Sequence, residues 1–254
     1  MIEAVLARIA AASAADAPWL LPYRDVAQRV AARRTPGVPL AQALNAVLAQ
    51  MPPIALDAGA LRFEAPDALA AGASYELHIA RSARVPTRDD PHDLFNALVW
   101  LVQPALKAQL NRLHAAEVAR SGVGATRGLL RDALTVFDEN GALLHAPAPL
   151  AQALRRRDWA ALFGALRPLW SQARPQLVGH ALLEKLLQPR KAITAHVWIL
   201  DPGDDGALPA EFTAQRFASK PFVALPVLGV PGWWPANEVP GFYDDPQVFR
   251  PAPR

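Results

Sequence analysis

The 254-residue sequence predicts an α+β protein, predominantly helical, with a small sheet and an irregular C-terminal segment rich in Pro and aromatic residues. Three observations carry that expectation. Most apolar residues recur at three- and four-residue spacing, a few short stretches change to alternation or to β-branched runs, and the last thirty or so residues combine prolines with buried-type aromatics. The length suits one compact body, read as residues 1–220, with an ordered tail, 221–254, packed on it.

From the N-terminus, residues 2–14 and 23–34 read as helices, with Pro18 and Pro22 punctuating the gap. A third helix is predicted over 39–50, where Leu40, Ala43, Leu44, Val47 and Leu48 share a face. Residues 74–81, "SYELHIAR", alternate Tyr75, Leu77 and Ile79 against Glu76 and His78, and predict a half-buried strand. A long helix follows over 91–120, kinked at Pro104, which cannot donate to the carbonyl of Trp100. "ALTVFDENGALLHA" predicts a hairpin turning at Asp138-Glu139-Asn140-Gly141, because Asn-Gly tolerates positive φ. Residues 148–172 predict one or two helices broken near Pro168, and 176–187 another helix stopped by Pro189. The β-branched run "ITAHVWIL" (193–200) predicts a buried strand, and "DPGDDG" after it a loop. In the tail, Trp233, Trp234, Phe242, Tyr243 and Phe249 argue against disorder and for a strap filling surface grooves.

Composition narrows the function. The chain is 52% hydrophobic and 19% charged, enough apolar material for a sizeable core. It has no cysteine, which excludes disulfides, thiol catalysis and Cys-based metal sites. Arg outnumbers Lys by 22 to 4, yet the basic residues are interspersed with acids and their one run, Arg155-Arg156-Arg157, ends at Asp158. No clustered basic face is evident, so nucleic acid is an unlikely partner. Glu3 and Arg8 spoil an N-terminal signal peptide, and no apolar stretch is long enough to cross a bilayer. A cytoplasmic protein with no membrane partner is expected; the oligomeric state is left open. No Gly-rich phosphate loop with the Gly-Lys-Ser/Thr ending and no Gly-x-Ser-x-Gly elbow is present.

The polar chemistry concentrates in two places. On the 91–120 helix, His92, Asn96, Gln103, Lys107 and His114 form one narrow strip, with Asp93, Trp100 and Asn111 at its margin. A solvated strip is normally Glu, Lys and Arg; amides, imidazoles and an indole make directed hydrogen bonds in partly buried places. His92, Asp93, Asn96, Lys107 and His114 are therefore the candidate catalytic residues. Asp93 also has a plain helical explanation, a carboxylate in the first turn behind an Asp89 or Asp90 cap. The second concentration is "GHALLEKLLQPRKAITAH". His180 and Glu184 lie one turn apart and His196 follows on a strand, so the three are candidate ligands for one divalent metal (Zn, Fe or Mn). An internal hydrogen-bond network accounts for the same residues without a ligand.

The strings "VPTRDDPHDLFNALVWLVQPALKAQLNRLH", "RDALTVFDENGALL", "GHALLEKLLQP" and "PVLGVPGWWPANE…FYDDPQVFR" together resemble a proteobacterial family known only as domain of unknown function 3025. The resemblance implies a bacterial soluble protein and carries no activity, cofactor or catalytic residue. From the residues themselves, two functions are expected: a metal-assisted hydrolase acting on a small molecule in a polar cleft between the 91–120 and 176–187 helices, or a non-catalytic binding or scaffold protein.

Overall fold

The computed structural model describes residues 1–122, 128–200 and 210–251. Helices α1 (Ile2–Ala10), α2 (Arg24–Ala31) and α3 (Leu40–Leu48) open the chain and bury one face each, Val5, Leu6 and Ile9 on the first and Leu40, Leu44 and Val47 on the third. Strands β1 (Ala55–Leu56) and β2 (Gly59–Ala60) form a minimal antiparallel ladder. β3 (Arg62–Glu64) then pairs in parallel with β4 (Arg84–Pro86), and α4 (Tyr75–Ser82) is the crossover between them.

That crossover corrects the strand expected at 74–81. Tyr75 and Ile79 are also one helical turn apart, and the ends favour the helix. Ser74 caps it by accepting from the Leu77 amide, and Ala83, in the left-handed region at φ 56°, closes it. A period-2 pattern over so few residues could not separate the two.

The long helix is two helices. α5 (Pro91–Val102) ends at Gln103, which leaves helical geometry at φ −126°, and Pro104 opens α6 (Pro104–Ser121) as its first residue. Pro104 therefore breaks the helix completely instead of kinking it. α7 (Leu129–Asn140) replaces the first arm of the expected hairpin, and β5 (Gly141–His145) follows without a turn. Gly141 is extended, at φ −77°, so positive φ is not what it supplies. A Cβ there would lie 2.3 Å from the Phe137 carbonyl oxygen, so the close approach of strand to helix end requires the glycine.

α8 (Ala148–Arg156) and α9 (Trp159–Phe163) divide the next helical region, and a 3-10 turn follows over Arg167–Gln172. The helix expected over 176–187 is in part strand: β6 (Arg174–Leu177) precedes a short α10 (His180–Lys185). β7 (Thr194–Leu200) lies where the β-branched run predicts it, and α11 (Ala214–Ala218) and β8 (Val223–Pro226) complete the described elements. The "DPGDDG" loop and most of "SGVGATRG" lie outside the described residues.

The main sheet has the order β6-β5-β7-β8. β5 is antiparallel to β6 and parallel to β7, with Gly141 opposite His196, and β8 is antiparallel to β7. One face, through Ala195, Val197 and Leu144, joins the large core built with α1–α3 and α5. The other, through Leu143, Trp198 and Leu200, meets Phe137, Phe212 and Phe217 in a second core under α7 and α11. Helical content predominates around this small sheet, the α+β class read from the sequence.

The first residues of the Pro-rich segment form the edge strand β8, and the rest is pinned to the body. Trp159 Nε1 donates to the Arg250 carbonyl at 2.7 Å, and Tyr243 stacks on Phe163 with centroids 4.2 Å apart. Asn237 Nδ2 donates to the carbonyls of Leu228 and Val230, and Trp233 meets Trp19 at 6.0 Å. No helix among the described residues is long and apolar enough to cross a membrane.

Candidate functional site

The site is built where the start of α5, the middle of α6, the end of α7 and the start of α10 meet. Pro91 at the first position and Asp90, whose carboxylate accepts from the Asp93 amide at 2.8 Å, fix where α5 begins. Asp93 is held by Arg88, whose backbone amide, Nε and Nη2 donate to its carboxylate at 2.7, 2.9 and 2.8 Å. The helix-start explanation of Asp93 thus fits its geometry, although the residue also lines the cavity.

His92 stands on the second position of α5, facing α10. Its Nε2 is 3.1 Å from His180 Nε2 and its Nδ1 is 2.9 Å from Glu184 Oε2. The two imidazoles meet edge to face, with planes at 80° and centroids 4.6 Å apart. Gly179 lets His180 reach this place. A Cβ on it would lie 2.5 Å from the Gly141 nitrogen and 2.6 Å from Asn140, so α10 can start against the α7–β5 junction only from a glycine.

Behind His180 lies a buried ion pair that the sequence reading missed. Lys107, 4% exposed, donates from Nζ to Asp138 Oδ1 at 2.6 Å and sits over the Trp100 ring. The other carboxylate oxygen of Asp138 is 3.6 Å from His180 Nδ1, outside hydrogen-bond range. A chain of polar groups therefore runs from Lys107 through Asp138, His180 and His92 to Glu184.

Burial pushes the His180 imidazole down to about 4, against the opposing pull of Asp138, so it is neutral at pH 7. Burial alone would raise the Asp138 carboxyl, but the Lys107 ammonium and His180 outweigh it and hold it below the ordinary carboxylate value. Burial likewise lowers His114, which is 7% exposed, although Glu76 and Asp138 oppose the shift.

These groups border an open cavity of ≈ 420 Å³. His92, Asp93, Asn96, His114 and His180 line it together with Tyr75, Glu76, Arg88, Arg131, Asp138 and Glu139. Asn96 is 5% exposed. Its Nδ2 donates to the Tyr75 hydroxyl at 2.9 Å, and its Oδ1, like His180 Nδ1, is buried without a hydrogen-bond partner among the described residues. Burial raises the Tyr75 phenol well above its usual value, so it is a neutral hydroxyl there. Asn111 holds Glu76, its Nδ2 donating to the Glu76 carboxylate at 2.6 Å.

Four of the five candidate catalytic residues, His92, Asp93, Asn96 and His114, face one cavity, and Lys107 stands behind it on Asp138. The candidate metal ligands do not meet at one point. His180 and Glu184 sit at opposite edges of the His92 ring, one on each nitrogen. His196 projects from β7 against Phe222, with ring centroids 6.2 Å apart, and is absent from the cavity lining. Among the described residues no group of three or more His, Cys, Asp or Glu is arranged to hold a metal.

Reading 74–81 as a strand concealed Tyr75 and Glu76, and reading 138–141 as a turn concealed Asp138. The spacing of Leu130, Ala133, Leu134 and Phe137 held the missing signal, since it continues a helix through Asp138.

Residues 61–253 match the family described as protein of unknown function (DUF3025). The match covers most of the chain, which therefore belongs to that family. No curated protein and no solved structure is significantly similar to it.

Proposed function

We propose that the cavity is the active site of a hydrolase acting on a small polar molecule, with water activated at the His92–His180 pair. The observation that carries this reading is the pair itself: two imidazoles in contact at the wall of an open cavity, each with a carboxylate facing its Nδ1. Water adds its oxygen to the electrophilic carbon or phosphorus of the scissile bond and gives up a proton at the pair; that proton then passes to the leaving group. Asn96 Oδ1 is an acceptor able to orient a donor group of the substrate. Arg131, which also lines the cavity, is suited to an anionic substituent. Lys107 acts through Asp138, setting the charge behind His180. The family resemblance and the sequence composition support a bacterial cytoplasmic setting for this chemistry.

The test is an NMR-monitored turnover screen of pooled small esters, amides and phosphoesters, with wild-type protein beside His92→Gln. Hydrolysis lost in the variant supports the reading. The competing reading, a structural hydrogen-bond network, draws on the fact that both ring nitrogens of His92 are already engaged within the protein. It prevails if wild type turns over none of the pools while His92→Gln and Asn96→Ala each lower the unfolding midpoint.

A further inference from the structure

We propose that the cavity binds its substrate by a protonated amine, held among the Glu76 carboxylate, the Asn96 side-chain carbonyl and the His114 ring. This names the substrate class for the hydrolytic reading above and rests on it: the substrate is a small amine whose scissile bond lies close to the cation.

The first observation is a set of acceptors that the fold leaves unused. The Tyr75 hydroxyl is turned to the Pro86 carbonyl, 3.5 Å away, and so accepts from Asn96 Nδ2. That fixes the Asn96 amide and leaves its buried Oδ1 without a partner among the described residues. His114, 7% exposed, lines the same cavity and makes no hydrogen bond among the described residues. Burial keeps the ring uncharged, so one of its nitrogens is an acceptor too. Polar groups buried without partners are costly, and a ligand that donates to them removes that cost.

The second is charge. Of the carboxylates lining the cavity, Asp93 is held by Arg88 and Asp138 by Lys107. Glu76 has only the neutral Asn111 amide on its Oε2, and among the described residues no cation pairs with Glu76 or Glu139. Against these two stands Arg131, which also acts on Glu117 of α6. The Glu76 charge acts on both Tyr75 and His114, which places it beside the free acceptors. A partly buried carboxylate without a cation is suited to a cationic ligand. Arg131 is left for an anionic substituent of the same molecule, which would then be a zwitterion.

The third is the shape of the acceptor set. An ammonium has three N–H donors, and here three separate side chains supply acceptors. A guanidinium is planar and pairs best with a carboxylate whose two oxygens are both free, whereas Asn111 occupies one oxygen of Glu76. Asn96 also stands one helical turn from His92 on α5, about 5–6 Å between Cβ atoms. An ammonium at Asn96 therefore brings the next few bonds of a short aminoacyl or aminoalkyl chain to the histidine pair.

The test is an NMR chemical-shift titration of the full, isotope-labelled chain at pH 7 and constant ionic strength. The probes are n-butylammonium, n-butylguanidinium, 1-butanol and butyrate. Saturable shifts of the Asn96 amide and His114 ring signals by n-butylammonium are expected, with 1-butanol and butyrate at least about 10-fold weaker and n-butylguanidinium also weaker. Glu76→Gln keeps an oxygen for Asn111 and removes only the charge, and should weaken the ammonium about 10-fold. Asn96→Leu, which removes the second acceptor, should weaken it as well. Circular dichroism checks the fold of each variant; if Asn96→Leu does not fold, Glu76→Gln carries the test with wild type. No ammonium binding, equal or tighter binding of any other probe, or binding unchanged in Glu76→Gln overturns the site. Running the turnover screen on the same samples, with amine-bearing and amine-free compounds in separate pools, separates the two proposals. Ammonium binding without turnover of any pool removes the hydrolase and keeps the amine site; turnover of amine-free pools by protein that does not bind n-butylammonium does the reverse.

Discussion

Lys107 and Asp138, on the facing helices α6 and α7, form a buried ion pair of 2.6 Å that closes the inner end of the polar chain. Among the described residues, neither charge has an alternative partner of opposite sign as close. Lys107→Met therefore leaves a buried carboxylate uncompensated, and a loss of about 3–5 kcal/mol in unfolding free energy is expected. Lys107→Met combined with Asp138→Leu removes both charges and should recover part of that loss. Urea titrations of the three proteins check it. A single variant within 1 kcal/mol of wild type, with no recovery in the double, would falsify the assignment.

The buried histidines make stability depend on acid. His180 is near 4 in the fold against an ordinary 6.5, and His114 and His196 are also lowered by burial. The unfolded chain thus binds protons that the folded protein refuses, so stability is full above pH 6.5 and falls as pH drops below it. For His180 the window runs from 6.5 to about 4 and the loss is on the order of 3 kcal/mol. Asp138, held below its ordinary 3.8, keeps its contribution above that pH and loses it only in stronger acid. Denaturant midpoints measured in EDTA from pH 8 to 4.5 should decline below 6.5, and less steeply in His114→Gln. A flat profile through that window is the contrary result.

Gly179→Ala tests how α10 is placed. The added methyl group meets backbone atoms of Asn140 and Gly141, which cannot swing aside as a side chain would. We expect a loss of at least about 2 kcal/mol. Because His180 is the next residue, its contact with His92 should loosen with it. Thermal melts read the first effect and the histidine ring signals in NMR spectra the second; an unchanged melt would show that the junction has slack.

The C-terminal strap is expected to be part of the cooperative unit. Phe242 and Phe249 are buried in the main core, and Phe163 stacks between Trp170 and Tyr243. Ending the chain at Pro231 removes Phe242, Tyr243 and Phe249 and uncovers Phe163. Loss of a sharp thermal transition, with aggregation on size exclusion, is the expected outcome. A sharp transition and monodisperse elution would make the strap an accessory instead.

The parts of the fold legible in sequence are those with long, unbroken periodicity. α1–α3 have a single apolar face, and β7 has the β-branched run of a strand buried on both sides. The misread parts are short. α4 spans eight residues, so Tyr75, Leu77 and Ile79 fit a period of 2 while Tyr75 and Ile79 fit one of 3.6, and only the caps decide. Asn140-Gly141 has the composition of a turn, but its glycine answers a tertiary contact with Phe137, which no local pattern records. At the site, His92 and Asn96 were found because amides and imidazoles are unusual on a helix face. Asp138 was missed because an acidic residue beside Asn-Gly looks like ordinary turn chemistry, and its partner Lys107 is 31 residues away.

The parallel pairing of β5 with β7 has a consequence for how the molecule comes together. Gly141 and His196 become neighbours only after α8, α9, β6 and α10 have been traversed, so the central ladder must close a long loop before it gains any pairing energy. His180 and Glu184 ride on that loop, whereas His92 belongs to the helical half that precedes it. The two halves of the histidine pair, 88 residues apart in sequence, thus meet only when the helical half and that loop have come together. His92→Gln should therefore leave the folding rate nearly unchanged and speed unfolding, since the contact that it removes forms late.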